Sequence, residues 1–285
     1  MSELGFHVML RSDDDRVLAP SPALRRDLAR SMYRVAAGFP LTAFGAADNH
    51  LHLEVLGDRA MAGDLAHRVM CSLHWALDLP VEFAPVRHKR LEDQGHKRST
   101  FHYALNQRNR HGVQSDPFLD ASSLPELLGM RVLDPGDSVR LVREHFPRLQ
   151  RSGLLRHLGP EVLEPASDAQ VRTLVDAGRA DLLRDSAAGA VGTANLQGRP
   201  PEAVAARTAL VQLLAACCTA REIGDLVERT SSVVRRARYR PWQPSLEHAT
   251  RLQLALRLWL LETHPELLDP IPGSLPDCSV HKPIP

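Results

Sequence analysis

The sequence predicts an α+β fold, an antiparallel sheet with packed helices, followed by an all-α C-terminal region. Two observations carry that expectation. Residues 1–115 alternate strand-like and helix-like patterns in the order β-α-β-β-α-β-α, whereas residues 122–264 are strand-poor. Taken in order, residues 5–10 (GFHVML) form a short apolar run that reads as a strand. Residues 22–37 place Leu24, Leu28, Met32 and Val35 at helical spacing behind a candidate N-cap, Ser21. Residues 41–46 and 51–56 flank Asp48-Asn49 and read as a hairpin. Residues 61–77 are periodic as a helix, 81–86 alternate as a strand, and 99–110 return to helical character.

Composition bounds the classes available. The chain has 285 residues, 35 Lys+Arg against 34 Asp+Glu, and 44% hydrophobic residues, an ordinary globular balance. No run approaches the roughly 18 apolar residues needed to span a bilayer. The N-terminal MSELGFHVMLRSDDD does not resemble a secretory leader, so a cytoplasmic protein with no membrane partner is expected. Four cysteines without CxxC spacing indicate neither a disulfide framework nor a zinc site.

The organisation expected is a domain over 1–115, a helical connector and linker over 116–201, a helix-turn-helix-like domain over 202–264, and a proline-rich tail over 265–285. The small-residue stretch 186–201 (SAAGAVGTANLQGRPP) reads as the linker. Trp242, Trp259 and residues 252–261 read as the core of a final helix, and Cys217-Cys218 as buried packing.

Near-zero net charge conceals segregation. Between Arg87 and His111 stand seven cations (Arg87, Lys89, Arg90, Lys97, Arg98, Arg108, Arg110) against two acids. Residues 229–240 hold five arginines and no acid. Either block alone reads first as a solvated face; two together, each beside a recognisable motif, suit a polyanion such as DNA.

The sharpest local feature is NHLHLEV at 49–55. On a strand, His50 and His52 stand side by side on one face while Leu51, Leu53 and Val55 turn to the core. Two imidazoles so placed suit one divalent cation, although two exposed edge histidines would show the same pattern. Tyr103 and Gln107, at i and i+4, share a helical face. A phenol is a weak nucleophile at neutral pH unless nearby cations favour the phenolate, and an amide oxygen one turn away can act as a third metal ligand. His7, His67, His74 and His88 have no partner at a readable spacing, whereas His102 and His111 suit DNA phosphates.

These segments resemble the single-tyrosine HUH transposases, especially the REP-associated tyrosine transposases of bacteria. FHVMLRS matches the family's first strand, NHLHLEV its His-hydrophobic-His strand, and FHYALNQRNRHGV its tyrosine helix. Residues 121–129 are similar to its trailing W-S-S…LLG segment. The resemblance covers about residues 5–130. The chain departs from it at Ala46-Ala47-Asp48-Asn49, where a Met-Pro-Asn approach is usual, and at Arg108, where proline is usual.

The resemblance implies a ferredoxin-like HUH nuclease domain that nicks single-stranded or hairpin DNA. Tyr103 would form a 5′-phosphotyrosine link, with Mg²⁺ or Mn²⁺ held by His50, His52 and Gln107. Such enzymes act as monomers or as homodimers. A bacterial, nucleoid-associated location is implied, as a transposase or a host-adopted relative. Two alternatives stay open: a descendant that binds DNA without cutting it, and a metal-dependent phosphodiesterase that uses water.

In the C-terminal region, residues 219–227 read as a capped helix, 228–230 as a turn and 231–240 as a second helix. Gly224 permits a close crossing, with Ile223, Val227 and Val234 as the packing core. The pair resembles a helix-turn-helix that would offer Arg235, Arg236 and Arg238 to duplex DNA, although a plain helical hairpin with a basic face would look the same.

Overall fold

The computed structural model describes residues 4–80, 82–107, 116–133 and 137–268. The fold is α+β. Its sheet-bearing part comprises β1 (Phe6–Arg11), α1 (Pro22–Ala36), β2 (Leu41–Ala47), β3 (His50–Val55), α2 (Arg59–Ala76), β4 (Arg87–Arg90) and α3 (Gln94–Leu105). The strands form one four-stranded sheet in the order β2-β3-β1-β4, with every neighbouring pair antiparallel. Asp48 makes the β2–β3 turn with a left-handed backbone (φ 50°), which short polar side chains tolerate best after glycine.

The period of two along each strand sorts the side chains between two cores. Phe6, Val8 and Leu10 of β1 and Leu51, Leu53 and Val55 of β3 pack with Leu28 and Met32 of α1 and Leu65 and Val69 of α2. The other face of the sheet receives α3, whose Phe101, Ala104 and Leu105 join Ala43 of β2 in a second core. Ser21 caps α1 by accepting from the Leu24 amide, and Asp93 caps α3 by accepting from the His96 amide at 2.7 Å.

The remainder is helical: α4 (Leu124–Leu127), α5 (Asp137–His145), α6 (Arg151–Leu155), α7 (Asp168–Asp176), α8 (Ala180–Ala190), α9 (Pro201–Leu214), α10 (Ala220–Val227), α11 (Ser231–Arg238) and α12 (Pro244–Thr263). A third core lies among α7 to α12, while Leu252, Leu256 and Leu260 of α12 reach back into the core under α3. The chain also returns to the sheet before α4. The Ala46 amide donates to the Ala121 carbonyl at 2.9 Å and the Ser123 amide to the Phe44 carbonyl at 3.0 Å, which covers the outer edge of β2. Among the described residues no helix is long and apolar enough to cross a membrane.

Several expectations shift. The strand expected at 81–86 gives way to β4 at Arg87–Arg90, with Phe83 making only an isolated bridge to Ser12. Pro80 precedes that stretch and Pro85 lies within it, neither can donate to a ladder, and Val81 lies outside the described residues. The helix expected at 99–110 begins earlier, at Gln94, because Asp93 caps it. The linker expected from residue 186 is helix as far as Ala190, and Ser186 to Ala190 are buried. Its small side chains let α8 pack closely on α12. Trp242 is 63% exposed and precedes α12, so it lies outside the core where it was expected. The helix expected at 231–240 ends at Arg238. The tail beyond residue 268 lies outside the described residues.

Candidate active site

The site is built on the sheet face that receives α3. Because Leu51, Leu53 and Val55 face the first core, His50, His52 and Glu54 take the opposite face of β3. In the antiparallel register β1 sets His7 against Glu54 and Met9 against His52, so His7 joins that face. On the far side of β1, β4 pairs Lys89 with His7 and Arg87 with Met9, which brings both cations to the same face.

Helix α3 adds Tyr103. The His50 and His52 rings lie 4.8 Å apart between centroids, and Tyr103 stands edge-on to His52 at 4.9 Å. His7 lies 5.1 Å from His52 and 5.5 Å from Tyr103. The approach of α3 depends on Gly45, the register partner of His52 on β2. A Cβ there would sit 2.0 Å from the Ala104 carbonyl oxygen, the residue after Tyr103.

Hydrogen bonds fix the rings. His50 Nδ1 lies 2.8 Å from Asn49 Oδ1, an acceptor, so Nδ1 carries the proton in the amide orientation given. His52 Nδ1 lies 2.9 Å from His7 Nε2. Burial, aided by His96 and Lys89, lowers the His7 pKa to about 4 and keeps that ring neutral. Gln107 is buried, and its Nε2 donates to the Tyr103 carbonyl at 2.6 Å. Its Oε1 is buried with no hydrogen-bond partner among the described residues. Behind His52, burial pushes the Glu54 carboxyl up to about 8, although Thr42 and Lys97 oppose this.

The structure thus brings His50, His52 and Tyr103 together, with Gln107 one turn beyond. It adds His7, which the sequence left without a partner. Alternation in FHVMLR places His7 on the face of Met9, but only the non-local pairing of β1 with β3 puts that face beside His52. Among the described residues no group of three His, Cys, Asp or Glu is arranged to hold a metal ion.

The expected DNA contacts divide. Arg87 and Lys89 lie on the site face, whereas Arg90 pairs with Phe6 on the opposite face. Arg98 is exposed on α3. Lys97 departs from the expected basic surface: it is buried, with its Nζ 5.1 Å from the centre of the Phe146 ring. Arg108 and Arg110 lie outside the described residues.

Helices α10 and α11 meet through buried Ile223, Val227 and Val234. A Cβ on Gly224 would stand 2.7 Å from the Arg229 carbonyl oxygen, so the crossing needs glycine. Thr219 and Glu222 form a capping box at the start of α10, and Glu228 ends it with a left-handed backbone (φ 54°). Arg235 and Arg236 are exposed, whereas Arg238 donates to the Cys218 carbonyl at 3.0 Å and is half-buried. Comparison with family models, curated proteins and solved structures finds no match for the chain.

Proposed function

We propose that the protein nicks and rejoins single-stranded DNA through a covalent tyrosine intermediate, with a divalent cation, as an HUH-type transposase or a host-adopted relative. The observation that carries this reading is the convergence of Tyr103 with His50 and His52 from elements about fifty residues apart in sequence. The β-α-β-β-α-β order, with β1 central and next to both β3 and β4, suits the ferredoxin-like sheet of such nucleases.

The side chains present fit a divalent cation. With Nδ1 of each β3 histidine engaged, Nε2 is the ligating nitrogen of His50 and, when His52 donates to His7, of His52. The buried Oε1 of Gln107 supplies a hard oxygen donor. When bound, Mg²⁺ or Mn²⁺ would polarise the scissile phosphate. Arg87 and Lys89 would hold neighbouring phosphates on this face.

Tyr103 Oη attacks phosphorus, forming the O–P bond as the bond to the 3′ oxygen breaks. The phenol's proton is lost, and the departing oxygen gains a proton to become a 3′-hydroxyl. Reverse attack by a 3′-hydroxyl reseals the strand and restores the phenol, so no external energy source is consumed. The packing of α3 on the sheet fixes Tyr103 beside the histidines before DNA arrives, which reduces the ordering left for the chemical step. Exposed Arg235 and Arg236 on α11 would add a contact to duplex DNA.

The test is incubation of the full chain, and of Tyr103→Phe, with labelled oligonucleotides drawn from repeats and hairpins flanking its gene, with Mg²⁺ or Mn²⁺. A chelator-sensitive covalent adduct, absent from the variant, is the expected result on a denaturing gel. Metal-dependent cutting without an adduct would transfer the reading to a water-using phosphodiesterase. Tight binding with neither would make the protein a non-cleaving regulator.

A further inference from the structure

Beside the tyrosine helix lies a concavity of about 540 Å³, lined by Arg98 and His102 of α3, by Arg148 and Gln150 of the α5–α6 connection, and by Arg156 and His157 just after α6. No carboxylate lines it, and none of its three arginines forms an ion pair among the described residues. Three guanidinium groups gathered around one hollow repel one another unless an anion is present, and planar guanidinium suits phosphate oxygens. We infer that this pocket is a binding site for phosphodiester groups of the single strand, distinct from the side-chain cluster at His50 and His52. The inference rests on the proposed function and deepens it, since it extends the strand's path beyond the tyrosine.

The pocket is a built one. His102 Nδ1 lies 3.2 Å from His157 Nε2, and His157 Nδ1 lies 3.3 Å from Asn106 Oδ1. This relay ties the chain just after α6 to the C-terminal end of α3 and presents the His102 ring to the hollow. Burial lowers the pKa of both histidines, aided at His102 by Arg98 and Arg156 and at His157 by His102 and Arg156, and that of His157 falls to about 4. An oxyanion would reverse this at His102, whose protonated ring donates a hydrogen bond. His102 follows Arg98 by one turn and precedes Tyr103, so the pocket lies about 100° around α3 from the tyrosine. A strand with one phosphate at Tyr103 can therefore pass its next phosphates around the helix into the pocket. The basic block read from the sequence contained Arg98, but Arg148 and Arg156 come from the stretch 116–201 that the sequence presents only as a helical connector and linker.

The test is fluorescence anisotropy of the full chain with fluorescein-labelled dT20 in the presence of a chelator, so that cleavage plays no part. The double variant Arg148→Ala/Arg156→Ala is expected to bind about tenfold more weakly at about 0.1 M salt. Its slope of log K against log salt should be shallower by about 1.4, or about 0.7 for each phosphate contact removed. Arg156→Lys, which keeps the charge, should retain most of the slope. Both arginines are exposed, and circular dichroism checks the fold of each variant. Unchanged affinity and slope in a folded double variant would overturn the inference. So would thermal stabilisation by millimolar inorganic phosphate that the double variant loses while its DNA affinity is unchanged, since the pocket would then serve a free phosphate. An absent Tyr103 adduct alongside a reduced slope would remove the strand-transfer reading and leave the pocket standing.

Discussion

Gly45 decides how closely α3 approaches the sheet, and through it where Tyr103 stands. The contact is backbone to backbone: a methyl group at Gly45 would have to displace the Ala104 carbonyl, and no side chain can rotate away to make room. Gly45→Ala is therefore expected to cost about 3 kcal/mol of stability in urea denaturation and to lower adduct formation by moving α3 away from His52. Normal stability with a full yield of adduct would show that the helix shifts without consequence. His157 offers a second test at this scale. Burial, His102 and Arg156 hold its pKa near 4, below the ordinary 6.5, so the fold favours the neutral ring. The stability this contributes is present above pH 6.5 and is lost as the pH falls toward 4. His157→Gln should make thermal stability fall less steeply over that window. His7 is shifted in the same direction and remains in place, so the slope should shrink but persist. Identical slopes in the variant and the parent would contradict the assignment.

Individual elements differ in how far their sequence discloses them, and the difference follows the range of the interaction. The pairing of His50 with His52 was legible because the strand period is local, whereas Gln107 stands beyond the end of α3 at Leu105 and its side chain bonds the Tyr103 backbone carbonyl. The α10–α11 pair was legible for the same reason, since its capping box and its turn lie within twelve residues. Thr219→Ala removes half of that box, and a loss of about 1 kcal/mol in urea denaturation is expected, with Thr219→Ser restoring most of it. Features set by distant partners were not legible. His7 enters the site only through the β1–β3 register. Lys97 sits in a basic run, yet α3 turns it inward to face Phe146 from α5's C-terminal end and Glu54 from β3. Residues 186–190 look flexible in isolation because Ala, Gly and Ser are weak core formers. In a helix that must pack closely on α12, the same small size is what the contact requires.

At the scale of the whole molecule, buried ions join the sheet-bearing part to the helical part. Arg26 of α1 donates to Asp120 at 3.0 Å and to Asp185 of α8 at 2.7 Å, and also to the Thr193 carbonyl at 3.2 Å. Arg257 of α12 bonds the same Asp185 and lies over the Phe118 ring, 3.9 Å from its centre. Arg131 binds Glu126 at 2.5 Å and the Asp120 carbonyl at 2.7 Å. Arg26, Arg131 and Arg257 are nearly inaccessible to solvent. Such ions add little net stability over apolar packing of the same volume, but removing one partner is costly because the other charge stays buried. Asp120 is the sensitive member, since its side chain and that of Arg26 are each only 2% exposed. Asp120→Asn keeps the shape and removes the charge, and it should destabilise the protein by about 3 kcal/mol. Because the network draws on α1, α8, α12 and residues 116–131, the parent protein should unfold in one calorimetric transition spanning both parts. Asp120→Asn should lower the temperature of that transition, and two separate transitions in the parent would show that the ions do not couple the parts. A single cooperative unit would also carry a functional consequence. Helix α6, which Arg148 precedes and Arg156 follows, is held against α3 through Leu154, Leu155 and Phe101 in the core that α12 completes, so loosening the network should weaken single-strand binding as well as stability.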